Sequence, residues 1–204
     1  MVTNVETLHP VEIRVLGALI EKDITTPEYY PLTVNSLQNA CNQKSSRDPV
    51  VQFDEQTVEQ ALEMLRNKHL VIRISGTGHR VEKWGHRLGE TLNLGRREMA
   101  LLCVLMLRGP QTVGELRGRT ERMHEFNDLE EVERVLETLE KSELVARASR
   151  GRWAQLLGGA VNEVEDSQPA AVARTPLEER VAALEHDLER LKQQLLEKLG
   201  ERFD

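Results

Sequence analysis

Apolar residues recur at steps of three and four positions along several segments of the chain, a spacing typical of helices with one buried face. One such segment begins near Leu8 and another near Leu94. Each is followed by a short segment that opens with Thr-Val, at Thr33 and at Thr112, and then by a third, longer amphipathic segment. The pattern predicts the same order of three helices twice within about the first 155 residues.

The periodicity changes after the third helix of each copy. In residues 70–75 of the first copy, every second position is apolar, as in a strand. Gly76 and Gly78 predict a turn, and residues 80–84 then predict the returning strand. The second copy predicts the same order, with a strand from 144, a turn at 149–151 and a return at 153–157.

Three helices closed by a β-hairpin are the elements of a winged helix. We therefore predict a mainly α protein with small β-hairpins (α+β), built from tandem winged-helix domains plus a C-terminal coiled-coil-like helix. The predicted parts are a first winged-helix domain at 1–90, a second at 91–159, a flexible acidic linker at 160–175 and a heptad helix at 176–200.

Polar residues at the predicted helix starts agree with this division. Thr33 and Thr112 are expected to cap the second helices, and Glu115 completes a capping box with Thr112. Asp54 is expected to cap the third helix of the first copy.

The C-terminal segment has an apolar stripe with the a/d spacing of a coiled coil. We interpret it as the seam of a parallel homodimer; the alternative is that it packs on the second winged helix or on another protein. The seam residues are Leu177, Val181, Leu184, Leu188, Leu191 and Leu195.

The net charge of −7 is concentrated in the C-terminal segment. Residues 161–204 hold 6 Lys and Arg against 11 Asp and Glu, so the two repeats are nearly neutral. Wings and helix-entry loops are where this fold would meet phosphates. The candidate nucleic-acid contacts are therefore Lys44, Arg47, Arg80, Lys83, Arg87, Arg150 and Arg152, and the alternative is that they are solvated surface residues.

The third helices do not resemble those of conventional DNA readers. A winged helix usually places its third helix in the major groove, where glutamates oppose binding to phosphates. Acidic third helices favour a protein partner, or DNA approached through the wings alone. The glutamates concerned in the second copy are Glu130, Glu131, Glu133, Glu137 and Glu140.

No motif predicts catalysis, a metal or a cofactor: the histidines are scattered, and no phosphate-binding loop or nucleophile motif occurs. We therefore predict a protein that is not an enzyme and has no cofactor. Cys103 is expected to be a buried thiol, whereas Cys41, with basic neighbours, is expected to be buried or mildly reactive.

The apolar segments do not predict a membrane protein. Residues 99–107 form the longest apolar run, far short of the roughly 20 residues that span a bilayer. Glu6, His9 and Glu12 interrupt the region where a signal peptide would be apolar. We expect a cytoplasmic protein without membrane association.

Residues 21–50, EKDITTPEYYPLTVNSLQNACNQKSSRDPV, contain both tyrosines of the chain between two prolines. From the residues alone, a rigid linker packing on the first core is favoured over a binding surface. This segment and LMLRGPQTVGELRGR at 105–119 resemble the YceH family, uncharacterised bacterial proteins with tandem winged-helix domains. The signature-loop residues are Thr26, Pro27, Tyr29, Tyr30, Pro31 and Asn42.

The resemblance extends over about residues 8–159, with one departure, since this chain has only the short RASRGRW at its second wing. The resemblance implies the fold and a role in gene regulation or another DNA-associated process. Two hypotheses remain: a dimeric DNA-binding regulator, which the fold favours, and a protein-interaction adaptor, which the acidic third helices and the heptad segment favour.

Overall fold

The computed structural model describes residues 6–75 and 81–159. It confirms a mainly α protein with small antiparallel sheets. The first half contains α1 (Pro10–Thr25), α2 (Val34–Cys41), α3 (Glu55–Asn67), β1 (Val71–Ile74), β2 (Lys83–His86) and the short α4 (Leu88–Leu92). The second contains α5 (Arg96–Arg108), β3 (Gln111–Thr112), α6 (Val113–Thr120), α7 (Leu129–Lys141), β4 (Val145–Ala148) and β5 (Arg152–Gln155). The predicted linker at 160–175, the heptad helix at 176–200 and its seam residues lie outside the described residues.

The two halves have the same strand pairing. β1 pairs with β2, and the chain just before α2 joins them through a bridge between Leu32 and Trp84. In the second half β3, just before α6, pairs with β5, and Gln111 lies opposite Trp153. Both tryptophans are buried at equivalent positions. This repeated arrangement is compatible with two winged helices.

The returning strands differ slightly from the prediction. β2 begins at Lys83 rather than at residue 80, and β5 ends at Gln155 rather than at residue 157. Trp84 and Trp153 lie inside the strands because each pairs both with the hairpin partner and with the segment before the second helix. The alternation in the sequence did not predict this third pairing.

The first helices of the two halves, α1 and α5, pack against each other along a contact that we call the α1–α5 seam, or simply the seam. In α1 every residue from Glu12 to Ile20 is buried, and in α5 every residue from Met99 to Leu107 is buried. A helix that is apolar on all sides must be covered on all sides. α1 is covered by α2 and α3 and by α5, so the halves share one continuous hydrophobic core. The division between domains at residue 90 stays a prediction.

α5 packs closely against Gly17 of α1. A Cβ atom there would lie 3.0 Å from Cδ2 of Leu107 and 3.2 Å from Cβ of Met106. The thiol of Cys103, buried as predicted, donates to the Gly17 carbonyl at 3.4 Å. Glycine therefore lets α5 approach the backbone of α1 closely.

The predicted helix caps are confirmed. Thr33 accepts from the Ser36 amide, Asp54 accepts from the Thr57 amide, and Thr112 and Glu115 form a capping box. Two caps were not predicted: His9 with Glu12 at the start of α1, and Asp128 at the start of α7.

We predict that Gly17→Leu destabilises the fold by about 3 kcal/mol, because the new side chain would overfill the seam. Gly114→Leu is the matched control, since a Cβ at Gly114 meets no atom within 4 Å. Urea unfolding of both variants measures the difference. Equal stability of the two variants would show that the seam is not tightly packed.

Candidate nucleic-acid interface

The signature loop follows α1 in the chain and packs against the hairpin of the first half. Residues Pro27–Tyr29 form a 3-10 turn after Thr26, and the half-buried Pro31 precedes the bridge to Trp84. The Tyr30 hydroxyl accepts a hydrogen bond from the His86 amide at 2.6 Å, and burial raises the pKa of this phenol. Tyr29 is 71% exposed. The packing role predicted for this loop therefore applies to Tyr30 and not to Tyr29.

Asn42 holds the next loop in place. Its Nδ2 donates to the Phe53 carbonyl, and its Oδ1 accepts from the Phe53 amide, both at 2.8 Å. This pairing fixes the start of the segment that leads to α3. Asn42 is thus satisfied by backbone groups of its own chain.

Arg47 requires a correction, because the structure does not support a phosphate contact by this residue. Its side chain is fully buried, and its two terminal nitrogens donate to the Glu21 carboxylate at 3.0 and 2.6 Å. Nε and Nη2 also donate to the carbonyl of Ala40, near the end of α2, at 3.1 and 2.8 Å. Carbonyls in the last turn of a helix lack intrahelical donors, and Arg47 supplies them here.

The charge of Glu21 depends on Arg47. Burial alone would raise the pKa of Glu21, but the hydrogen bonds and charge of Arg47, together with Lys22, hold this pKa below its ordinary value. The ion pair therefore favours the charged carboxylate in the folded chain.

Three arginines on or beside the hairpin of β1 and β2 are already paired with glutamates. Lys83 is half-buried, Arg87 is exposed, and Arg80 lies outside the described residues. Arg87 borders a shallow depression with Arg66 and Arg73. The three arginines form the ion pairs Arg66–Glu63, Arg73–Glu82 and Arg87–Glu90.

The remaining candidates lie at the surface in two places. Arg150 and Arg152 are exposed in the second wing, where Nη1 of Arg152 donates to the Pro110 carbonyl at 3.1 Å. Lys44 is exposed in the loop after α2. The predicted residues thus do not form one site.

A cleft that the sequence analysis did not identify lies between the end of α1, the loop after α2, α5 and the end of α6. We call it the cationic cleft; its volume is about 300 Å³. Lys44 lies in the loop between two residues that line it. The lining cations are Lys22, Arg108, Arg119 and Arg122, and the lining hydroxyl and amide groups belong to Thr25, Thr26, Gln43, Ser45 and Ser46.

The cleft has more positive charge than its carboxylates neutralise. Glu21 is already bound by Arg47 and Lys22, and Arg119 pairs with Glu115 at 3.3 Å. Within residues 6–75 and 81–159, the side chains of Arg108 and Arg122 make no ion pair and no hydrogen bond. Burial lowers the pKa of Arg108, and the charges of Arg119 and Arg47 lower it further, whereas the charges of Glu21 and Asp48 offset part of this shift.

Glu115 of α6 is the carboxylate that pairs with Arg119 of the cleft. Hydrogen bonds from Thr112 hold the pKa of Glu115 below its ordinary value, and the nearby charges of Arg119 and Arg152 lower it further. Sequence reasoning missed the cleft because its residues come from both repeats and meet only when α1 packs on α5.

The third helix of the second half presents an acidic outer face. Arg134 and Lys141 are the exposed cations on α7. Glu131 is an exception among the predicted glutamates, since it is half-buried and accepts a hydrogen bond from the Asn127 amide at 3.0 Å. The exposed glutamates are Glu130, Glu133, Glu137 and Glu140, which we call the acidic face of α7.

The described residues were compared with the requirements of a metal site, a reactive thiol and a membrane-spanning helix. No group of three or more His, Cys, Asp and Glu residues in 6–75 and 81–159 is arranged to hold a metal ion. Burial raises the pKa of Cys41 to about 12, which argues against the mildly reactive thiol considered above. In the same part of the chain, no helix is both long and apolar enough to span a membrane.

Comparison with known proteins gives a family and close relatives. Residues 8–152 match the profile of the family described as "Protein of unknown function, DUF480". A UPF0502 protein of Solibacter usitatus is 55% identical over 192 residues, which are 91% of this chain and 93% of the relative. UPF0502 proteins of Citrifermentans bemidjiense and Serratia proteamaculans are 50% and 44% identical, and the matches cover 89% and 90% of this chain and 88% and 92% of the relatives.

We predict that Arg47→Met lowers the free energy of unfolding by about 3 kcal/mol near pH 7, because it leaves the buried Glu21 charge without its partner. In the parent chain, the depressed pKa of Glu21 gives stability that is present above its ordinary value of 4.5 and is lost as the pH falls further. The deficit of the variant should therefore shrink near pH 4, because Glu21 of the variant, without Arg47 to hold its pKa down, accepts a proton there and is no longer a buried unpaired charge.

Chemical unfolding at both pH values measures this change, with the exposed Lys44→Met as control. A deficit of the same size at both pH values would contradict the assigned role of the Arg47–Glu21 pair.

Proposed function

The chain belongs to the DUF480 family of proteins of unknown function, and from that premise we propose that it is a non-enzymatic, DNA-associated factor. It contacts the sugar-phosphate backbone through the cationic cleft. The DNA-associated role is the one that the sequence favours, but the contact surface is the cationic cleft rather than the predicted wings.

The observation that carries the proposal is the pair of arginines without partners. Arg108 and Arg122 border one cleft, and neither side chain forms an ion pair with a carboxylate within the described residues. Arginine binds phosphate through charge-assisted hydrogen bonds, often with two nitrogens at once. Serine and threonine hydroxyls, such as those of Ser45 and Thr25, also commonly donate to phosphate oxygens.

The acidic face of α7 supports a backbone contact over insertion of the third helix into the major groove. Four exposed glutamates on that face would lie against phosphates in the usual docking geometry. The cleft is formed instead by α1, α5 and α6 and excludes α7. Binding through the cleft depends on phosphate charge, and it carries little sequence information.

We predict that the full chain binds mixed-sequence DNA of about 30 base pairs at roughly 50 mM salt, with affinity that falls steeply as salt rises. Arg108→Gln/Arg122→Gln should weaken binding about tenfold or more. It should also reduce the slope of log affinity against log salt by about two, since two phosphate contacts are removed. Fluorescence anisotropy over a salt series measures both quantities.

Arg66→Gln/Arg87→Gln is the matched control, because it removes two ion-paired arginines outside the cleft, Arg66 on α3 and Arg87 just after β2. Its affinity should stay within about twofold of the parent chain. The proposal fails if the parent chain does not bind at low salt, or if both double variants weaken binding equally.

A protein-interaction adaptor is the second candidate, and the acidic face of α7 is the observation that favours it. Such a face suits a basic surface on a partner. This function takes precedence if DNA binding is absent and a stoichiometric partner co-purifies with the parent chain but not with Glu133→Gln/Glu137→Gln. Homodimerisation through the heptad residues at 177–195 remains a prediction.

A further inference from the structure

A second cavity lies along the seam between the two halves, and its walls are mainly apolar. We call it the seam pocket; its volume is about 500 Å³, within the range of sites that bind small molecules. Residues of both halves line it. The apolar lining includes Val11, Ile13, Phe53, Leu105, Met106 and Ala154.

Arg14 provides a positive charge in this apolar wall. It lies on α1, is only 4% exposed, and is one of the lining residues. Its Nη2 donates to the carbonyl of Pro49 at 2.7 Å, and Pro49 lines the same pocket. The guanidinium group therefore lies at the wall that Pro49 forms.

The Arg14 charge has no carboxylate partner in the described part of the chain. Its two hydrogen bonds go to the carbonyls of Pro49 and Cys41, whereas a guanidinium has five N–H donors. Asp48, the acidic residue of the lining, is exposed and forms no ion pair with Arg14. Burial lowers the pKa of Arg14 and the nearby charge of Arg47 lowers it further, whereas the charge of Asp48 offsets part of this shift.

A buried cation of this kind is costly unless an anion compensates it. Arg47 shows the compensated arrangement in the same molecule, since it is equally buried and binds Glu21 through two nitrogens. Arg14 is buried in the same way, but among the described residues it has no carboxylate partner. It lies beside an apolar space that a hydrocarbon group would fill.

We propose that the seam pocket binds a small organic acid with an apolar body, with its carboxylate on Arg14 and its hydrocarbon part between the two halves. The ligand contacts α1 and α5 at once, so binding stabilises the seam by mass action. This inference does not depend on DNA binding, because the cationic cleft shares no residue with the seam pocket.

The test uses decanoate as the probe and decanol as its uncharged match, each titrated into the full chain by calorimetry. We expect one saturable decanoate site per chain and at least tenfold weaker binding of decanol, because decanol cannot pair with Arg14. Arg14→Met should remove the difference between the two probes.

Val51→Trp should abolish decanoate binding, since Val51 is half-buried and lines the pocket. Val50→Trp is its matched control and should bind as the parent chain does, because Val50 is 54% exposed and does not line the pocket. The Val51 and Val50 variants decide the question if Arg14→Met does not fold. Absence of saturable decanoate binding, or equal binding by both tryptophan variants, overturns the proposal whatever the DNA experiment shows.

Discussion

The contact between α1 and α5 is the interaction on which the rest of the structure depends. Nine consecutive residues of α5 are buried, so this helix needs cover on every side, and the second half alone covers only part of it. Gly17 lets the two backbones approach, and Cys103 and Leu107 of α5 lie against it. Two small repeats thereby obtain one shared core, which is easier to stabilise than two separate cores of about 70 residues each.

The cationic cleft and the seam pocket both result from this contact between α1 and α5. The C-terminal half of α5 contributes Arg108 to the cationic cleft and Met106 to the seam pocket, and α1 contributes Lys22 and Arg14 respectively. The buried arginines illustrate two outcomes of the same packing. Arg47 is held by Glu21, whereas Arg14 lacks a carboxylate among the described residues.

The elements that depend on local sequence could be predicted. Apolar spacing indicated α1 and α5, and capping residues such as Thr33, Asp54 and Thr112 indicated where helices begin. Features that depend on tertiary packing could not. Arg47 looks like a surface cation in its loop, and only the fold brings Glu21 to it. The cationic cleft was missed for the same reason, because residues 22–46 and 104–123 meet only across the seam.

Native-state hydrogen exchange tests the shared seam most directly, by comparing the slowest amides of α1 and α5 in the parent chain and in Gly17→Leu. If the halves form one cooperative unit, both helices open with the same free energy in the parent chain, and both lose protection by the same amount in the variant. Loss of protection in α1 with α5 unchanged would show that the repeats are stabilised separately and would contradict this account.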